Sequence, residues 1–318
     1  MMRRMKVSMI VGAVLIGIGL VMMAVSLGTA GIDGLDTAPC VTNIYEIGDD
    51  FRDLDISVDT ANVSLVPSED GVCKVVCLEE EKLYHTVSVR DGVLEIRRVD
   101  ERAWFNNIGI HIGEMQVTVY LPQAEYGKLT VNGSTGWVDI PEEIAFESID
   151  VTVSTGNVHN GASASDSIRI RASTGGILIG DVTADSMELS VSTGRIDAEK
   201  IVCDGELRVT VTTGGASLTG IRCRTLLSEG STGKLGLSDV IAAERMDIRR
   251  TTGAVEMREC DAGMIVIKTS TGDVTGSLLT GKLFDAQTST GDIQIPMSAS
   301  GGECRITTST GDIRIEIE

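Results

Sequence analysis

The chain has 318 residues and a formal net charge of −19 at pH 7, long enough for one extended or two modest domains. Beyond the N-terminal head, 24 Lys and Arg (27 less Arg3, Arg4 and Lys6) stand against 46 Asp and Glu, a balance of −22. That surplus excludes nucleic acid and disfavours an anionic membrane face as a partner, and it suits a solvated, exported surface.

Residues 1–6 form a basic head with Arg3, Arg4 and Lys6, and the 21 residues from Val7 to Leu27 then run without a charge. That length spans a bilayer as a helix, and the basic flank stays in the cytoplasm while the C-terminal mass faces outward. A cleaved signal peptide is the rival, with Gly28 and Ala30 as its small residues. Its apolar region, however, is only about 7–15 residues long. The expectation is an uncleaved single-pass anchor in the cell membrane, with the N-terminus cytoplasmic and the C-terminal domain extracytoplasmic. Residues 28–48, with Gly28, Gly31, Gly34 and Pro39, read as a tether.

Residues 49–128 read as an N-terminal β module. Leu54, Ile56 and Val58 precede Thr60-Ala61, and Val63 and Leu65 follow, which is a first, degenerate copy of the repeat described below. Strand-like runs occupy 72–78, 86–89, 93–96 and 116–121, with the turn signal Asp91-Gly92 between the second and third. This module is expected to cap the open end of a stack.

From 129 to 318 one corner recurs ten times: Ser-Thr-Gly, with Thr for Ser before Gly214 and Gly253. Its copies end at Gly136, Gly156, Gly175, Gly194, Gly214, Gly233, Gly253, Gly272, Gly291 and Gly311, always 19 or 20 residues apart. A fixed period of this size marks a stacked repeat. Seven residues before each glycine the column is apolar throughout, from Leu129, Ile149 and Ile168 to Phe284 and Cys304. Five before and two after are nearly so (Val131, Ile170; Val138, Ile177), with Ser228 an exception. Polar residues such as Asp150, Arg169, Asp139, His159 and Asp197 stand between them. Period-two alternation on both sides of a corner places a strand before it and a strand after it. Val182, Ile201, Ile221, Val240, Cys260 and Leu279, seven after, suggest a third short strand, and the small residues nine after suggest a tight inner corner. One such unit has nothing to bury its apolar face against, so copies must stack. The fold class is therefore all-β: a parallel β-solenoid of about eleven 19–20-residue coils, right-handed by the general crossover preference, behind one N-terminal transmembrane helix. The terminal strand, with charges at Arg314, Glu316 and Glu318, is guarded against edge pairing.

Thr60-Ala61-Asn62-Val63, the segment 117–122 (VTVYLP) and the serial Ser-Thr-Gly-Asp/Asn-Val/Ile units resemble bacterial β-strand-repeat proteins of unknown function described as "putative adhesins". The resemblance covers about residues 43–318. It implies a β-solenoid at the cell envelope and carries no catalytic residues.

The candidate chemistry is sparse. Asp273, Asp292 and Asp312 each follow a corner glycine, and in successive coils they would stack roughly 5 Å apart. Such a column admits Ca²⁺. A solvated turn acid is the preferred reading, because calcium wants 6–8 oxygens. Trp104, Phe105 and Trp137 are the only candidates for a sugar platform, and His85, His111 and His159 have no metal-ligand spacing. The seven cysteines are odd in number and do not make a disulfide framework. Cys203 and Cys223 share one phase in adjacent coils, Cys260 and Cys304 fall in apolar columns, and Cys73 and Cys77 share one strand face. No cofactor is expected. The function expected is a membrane-anchored interaction, adhesin-like or envelope scaffold module without catalysis, binding a protein or envelope partner. A carbohydrate-active β-helix lyase or hydrolase is the alternative.

Overall fold

The computed structural model describes residues 40–102, 115–298 and 300–318. The expected transmembrane span, basic head and Trp104, Phe105 and His111 lie outside the described residues. Among those described, no helix is long and apolar enough to cross a membrane, and twenty strands join in one continuous sheet.

The alternation of the sequence becomes burial. In the column seven before the corner, Leu129, Ile149, Ile168, Met187, Leu207, Leu226, Met246 and Ile265 are each at most 2 % exposed. They meet in parallel register, Leu129 beside Ile149, Ile149 beside Ile168 and Ile168 beside Met187. Each inward side chain contributes on the order of 1.5–3 kcal/mol by leaving water. The intervening residues face out and pair across coils: Arg169 reaches Asp150 at 3.6 Å and Glu188 at 3.0 Å, and Arg171 reaches Glu188 at 3.2 Å.

The corner glycines hold the coils in step. All ten have φ between +129° and +149°, a region closed to residues with a Cβ. A Cβ placed on any of them would lie 1.7–2.2 Å from the carbonyl oxygen of the neighbouring corner. Ala61 occupies the glycine slot of the first coil, as its oxygen lies over Gly136. A second corner escapes the sequence reading. Six residues after the glycine, Asp181, Lys200, Gly220, Asp239 and Glu259 all take left-handed φ values of +50° to +65°. They turn the chain into the short third strand, where Val182, Ile201, Ile221, Val240 and Cys260 are buried. In the coil of Gly272 this strand is shifted. Gly276 stands opposite Met257, and Leu278 rather than Leu279 lies opposite Cys260. Leu278 is thus buried and Leu279 is 38 % exposed.

The coils do not stack wholly in sequence order. The amide of Gly272 donates to Thr310 O at 2.8 Å, and that of Gly311 to Thr290 O at 2.9 Å. Strand Gly302–Thr310 therefore lies between Val255–Thr271 and Lys282–Thr290. The last coil in sequence is inserted, and the coil of Gly291 is outermost. Composition explains the exchange. The inserted coil seals with Cys304, Ile306, Ile313 and Ile315, all at most 2 % exposed, whereas the outer one offers half-exposed Ala286 and Ile293 at 44 %. Gly302 lets the inserted chain pass, for a Cβ there would lie 2.0 Å from Gly263 O. Lys282 is buried, donates to Ala262 O at 2.8 Å and pairs with Asp261, so it pins the outer coil across the inserted one.

The N-terminal end repeats the device. Asp53–Ser57 pairs in parallel with Glu125–Thr135 on one side and Val93–Asp100 on the other. Asn62–Pro67 lies likewise between Val138–Ile140 and Gln116–Leu121. The first coil is thus interior, and later residues are laid outside it. The hairpin Leu83–Arg90/Val93–Asp100 closes at Asp91 and Gly92, both with positive φ. Part of the expected tether is ordered: Cys40–Ile47 is a strand, antiparallel to Cys73–Glu80. Its alternation was weak because Val41 and Ile44 face solvent while Asn43 faces in.

Two measurements check this account. Gly194→Ala should destabilise the chain by more than about 3 kcal/mol in denaturant unfolding. Gly180→Ala should change it by less than about 1 kcal/mol, because its φ is not positive and its nearest contact is 3.5 Å. Cysteines at Thr275 and Arg314, which are register partners, should form a disulfide under mild oxidation. Cysteines at Thr275 and Gln294 should not, whereas stacking in sequence order would reverse the pair.

Candidate functional site

After each corner glycine the chain runs straight for about three residues, and the middle one points inward. Val138, Val158, Ile177 and Ile196 are therefore buried and in register. The residues on either side must face out. Asp139, His159, Leu178 and Asp197 form one outward row, in register across four coils. Trp137, Asn157, Gly176 and Arg195 form the other. Together they line a groove of about 420 Å³.

The groove is apolar in its floor and charged at its edges. Trp137 is 39 % and Leu178 52 % exposed, and Gly176, which lacks a side chain, leaves a gap between them. Asp139 Oδ1 meets His159 Nδ1 at 2.8 Å, and Arg195 Nε donates to Asp197 Oδ1 at 2.6 Å. Each acid is engaged by its own base. Exposed Trp and Leu beside such pairs offer apolar contact together with directional charge. A second depression of about 420 Å³ continues on the same face, sharing Arg195 and lined by Gly215, Ser217, Gly236 and the Lys234–Glu256 pair at 2.6 Å. Gly215, Ser217 and Gly236 keep this trough open.

Of the three aromatic candidates, Trp137 is the one the described residues place, and it lies in this groove. Asp139, His159 and Asp197 were legible as outward positions. Their convergence was not, because the column directly after the glycine mixes Trp, Asn, Gly and Arg and shows no single chemistry. His85 is 1 % exposed and lies apart from the groove, in the N-terminal module. All seven cysteines are free, and six of them are buried.

The acidic column is present, but in the order Asp273, Asp312, Asp292. Three of its six oxygens are already used, one of them by Arg314. The Asp312 amide donates to Asp273 Oδ1 and the Asp292 amide to Asp312 Oδ1, both at 2.8 Å. The same bond joins the Gly176 amide to Asn157 Oδ1 at 2.8 Å and the Trp137 amide to Asn62 Oδ1 at 3.1 Å. Asn or Asp after the corner is thus a rung-to-rung clasp. The Asp292 amide and then Arg314 hold the Asp312 carboxyl below the usual carboxylate range. Among the described residues the three carboxylates do not gather as a donor set.

The family model of Toastrack DUF4097 matches residues 51–214 and 203–318. The chain belongs to that family. Among solved structures, the Toastrack chain is similar to a "putative adhesin" from Parabacteroides distasonis ATCC 8503, at 13 % identity and TM-score 0.42, covering 86 % of this chain and 98 % of that one. It is similar to a "putative lipid binding protein" from the same strain, at 16 % identity and TM-score 0.46, covering 86 % and 97 %. It is also similar to a "putative adhesin" from Parabacteroides merdae ATCC 43184, at 11 % identity and TM-score 0.39, covering 87 % and 96 %. No curated protein matches it.

With Asp273 Oδ1 and Asp312 Oδ1 committed to backbone amides, millimolar calcium should leave the melting temperature of the full chain unchanged. A rise of several degrees that Asp312→Asn abolishes would restore the calcium reading.

Proposed function

We propose that this Toastrack chain is a cell-envelope interaction module, anchored by the segment from Val7 to Leu27, whose partner docks on the face after the corner glycines. The single observation that carries this reading is the groove in which Trp137 and Leu178 stand exposed on a rigid, register-locked surface. Side chains projecting from a continuous parallel sheet lose little freedom on binding, so exposed apolar area there converts efficiently into affinity. The flanking Asp139–His159 and Arg195–Asp197 pairs supply direction. The acidic surface elsewhere disfavours polyanions, leaving an envelope protein or a neutral glycan as the partner class.

The groove supports holding rather than bond breaking. Glycoside hydrolysis needs two carboxyl groups facing one bond, one of them free to donate a proton. Asp139 and Asp197 each lie against a base instead. The nearness of Trp137 to Asp139 is the one feature that favours the carbohydrate-active alternative. That reading requires release of new reducing or unsaturated ends from envelope polysaccharide, abolished by Asp139→Asn.

Retention of the purified full chain on envelope fractions or a glycan array tests the proposal. Trp137→Ala combined with Leu178→Ser should weaken retention at least tenfold at unchanged melting temperature. Undiminished retention would move the docking face elsewhere.

A further inference from the structure

The N-terminal module holds a second constellation, unconnected with the groove. Strands Cys73–Glu80 and Leu83–Arg90 form a hairpin and then part. The first pairs with Cys40–Ile47 and Gln116–Leu121, and the second with Val93–Asp100. Cys77 and Glu79, two apart on one strand, share its inner face, and His85 points inward from the other strand. The three are 0 %, 1 % and 1 % exposed. One ligand atom from each lies within 4.8 Å of the other two.

Hydrogen bonds already draw two of the three together. Glu79 Oε1 accepts from Asn43 Nδ2 at 2.6 Å, and Oε2 accepts from the His85 amide at 2.7 Å. Oε2 also meets His85 Nδ1 at 2.9 Å. His85 Nε2 is buried with no hydrogen-bond partner. The network explains how Cys40–Ile47 is fastened, with Tyr45 Oη adding a bond to the His85 carbonyl at 3.0 Å. It does not explain a buried imidazole nitrogen left unpaired, or a buried thiol set beside the carboxylate.

We infer that Cys77, Glu79 and His85 bind one divalent transition-metal ion of the zinc class. Thiolate and imidazole together select zinc, cobalt or copper over magnesium and calcium. Three protein ligands leave the fourth tetrahedral position to water. The charge balances: one thiolate and one carboxylate neutralise a divalent ion, which a buried site requires. The atoms that converge are His85 Nδ1 and Glu79 Oε2, 2.9 Å apart, and Cys77 Sγ, and in the bound state the ring proton stands on Nε2. On binding, the S–H bond of Cys77 breaks, its proton goes to solvent, and sulfur bonds the metal with no change of oxidation state. With all three side chains sealed, the ion enters as the module folds.

Cobalt(II) is the probe. The full chain, carrying Cys40→Ser to remove the one exposed thiol, is produced in Co(II)-supplemented medium and desalted. One cobalt per chain is expected by elemental analysis, with a thiolate-to-cobalt charge-transfer band in the near ultraviolet that Zn(II) abolishes. Cys77→Ser should remove the band and lower cobalt content at least tenfold, and His85→Gln should lower the content similarly. Cys73→Ser, a buried thiol four residues earlier on the same face, should retain both. A parent chain that purifies without cobalt overturns the inference, whatever the variants do. A band that survives Cys77→Ser also overturns it, by placing the ion elsewhere.

Discussion

Everything in this fold depends on how closely two backbones approach at the corner. From one coil to the next, the carbonyl oxygen of a corner glycine occupies the place where its neighbour's Cβ would be. Only glycine permits both the positive φ and the contact. The consequence is register. A slip of one residue would turn every inward column to solvent and every ion pair inward. The corner therefore fixes not only the turn but the face on which each side chain emerges. Variation in coil length is absorbed far from it. Where a 20-residue coil meets a 19-residue one, the irregularity falls between the third strand and the next coil, as between Ala242 and Arg245.

Register locking also relieves individual core positions of the need to be large and apolar. Ser228 stands in a column that otherwise holds Val, Ile or Leu, apart from Ala286, and Gly230 follows two residues later. The room these two leave is filled by Arg250, which is 5 % exposed and donates to Ser228 Oγ at 2.8 Å. Burial without a carboxylate partner pulls that guanidinium down to about 10. A slack, unregistered sheet would have slipped to expel such a charge. Here the corners on either side hold it in place.

Much of this was legible in the sequence. The ten glycines, the apolar columns and the alternation between them give strand, corner and stack directly. The ladder order at the two ends was not legible, because sequence spacing is blind to which copy is laid next to which. The signal that existed was the poverty of one coil. Ala286 in a branched-aliphatic column and the segment 296–298 (PMS) in place of a third strand mark the unit least able to seal a core from both sides. The second corner was hidden because Asp, Lys, Gly, Asp and Glu reach left-handed φ for different local reasons and share no side-chain chemistry. The groove and the Cys77–Glu79–His85 cluster were hidden for a common reason. Each joins residues that are neighbours only through sheet register or through a hairpin whose strands diverge.

The two ends differ from the middle in kind. Interior coils are bonded on both sides and can spend their outward positions freely, which is where Trp137, His159 and Leu178 stand. End coils must stop the sheet. At the C-terminal end, the chain places its least apolar coil outside and fastens it with Lys282 through Ala262 O, Asp261 and Thr280 Oγ1. At the N-terminal end it lays two parallel strands on the first coil, covers those with antiparallel ones, and fastens the cover with Asn43, Tyr45, Glu79 and His85. In both places a buried polar side chain does what stacking can no longer do, because an outermost strand has no further coil to satisfy it. At each end of the repeat buried polar side chains thus take the place of a missing coil, and at the N-terminal end they carry a chemistry unlike that of the groove.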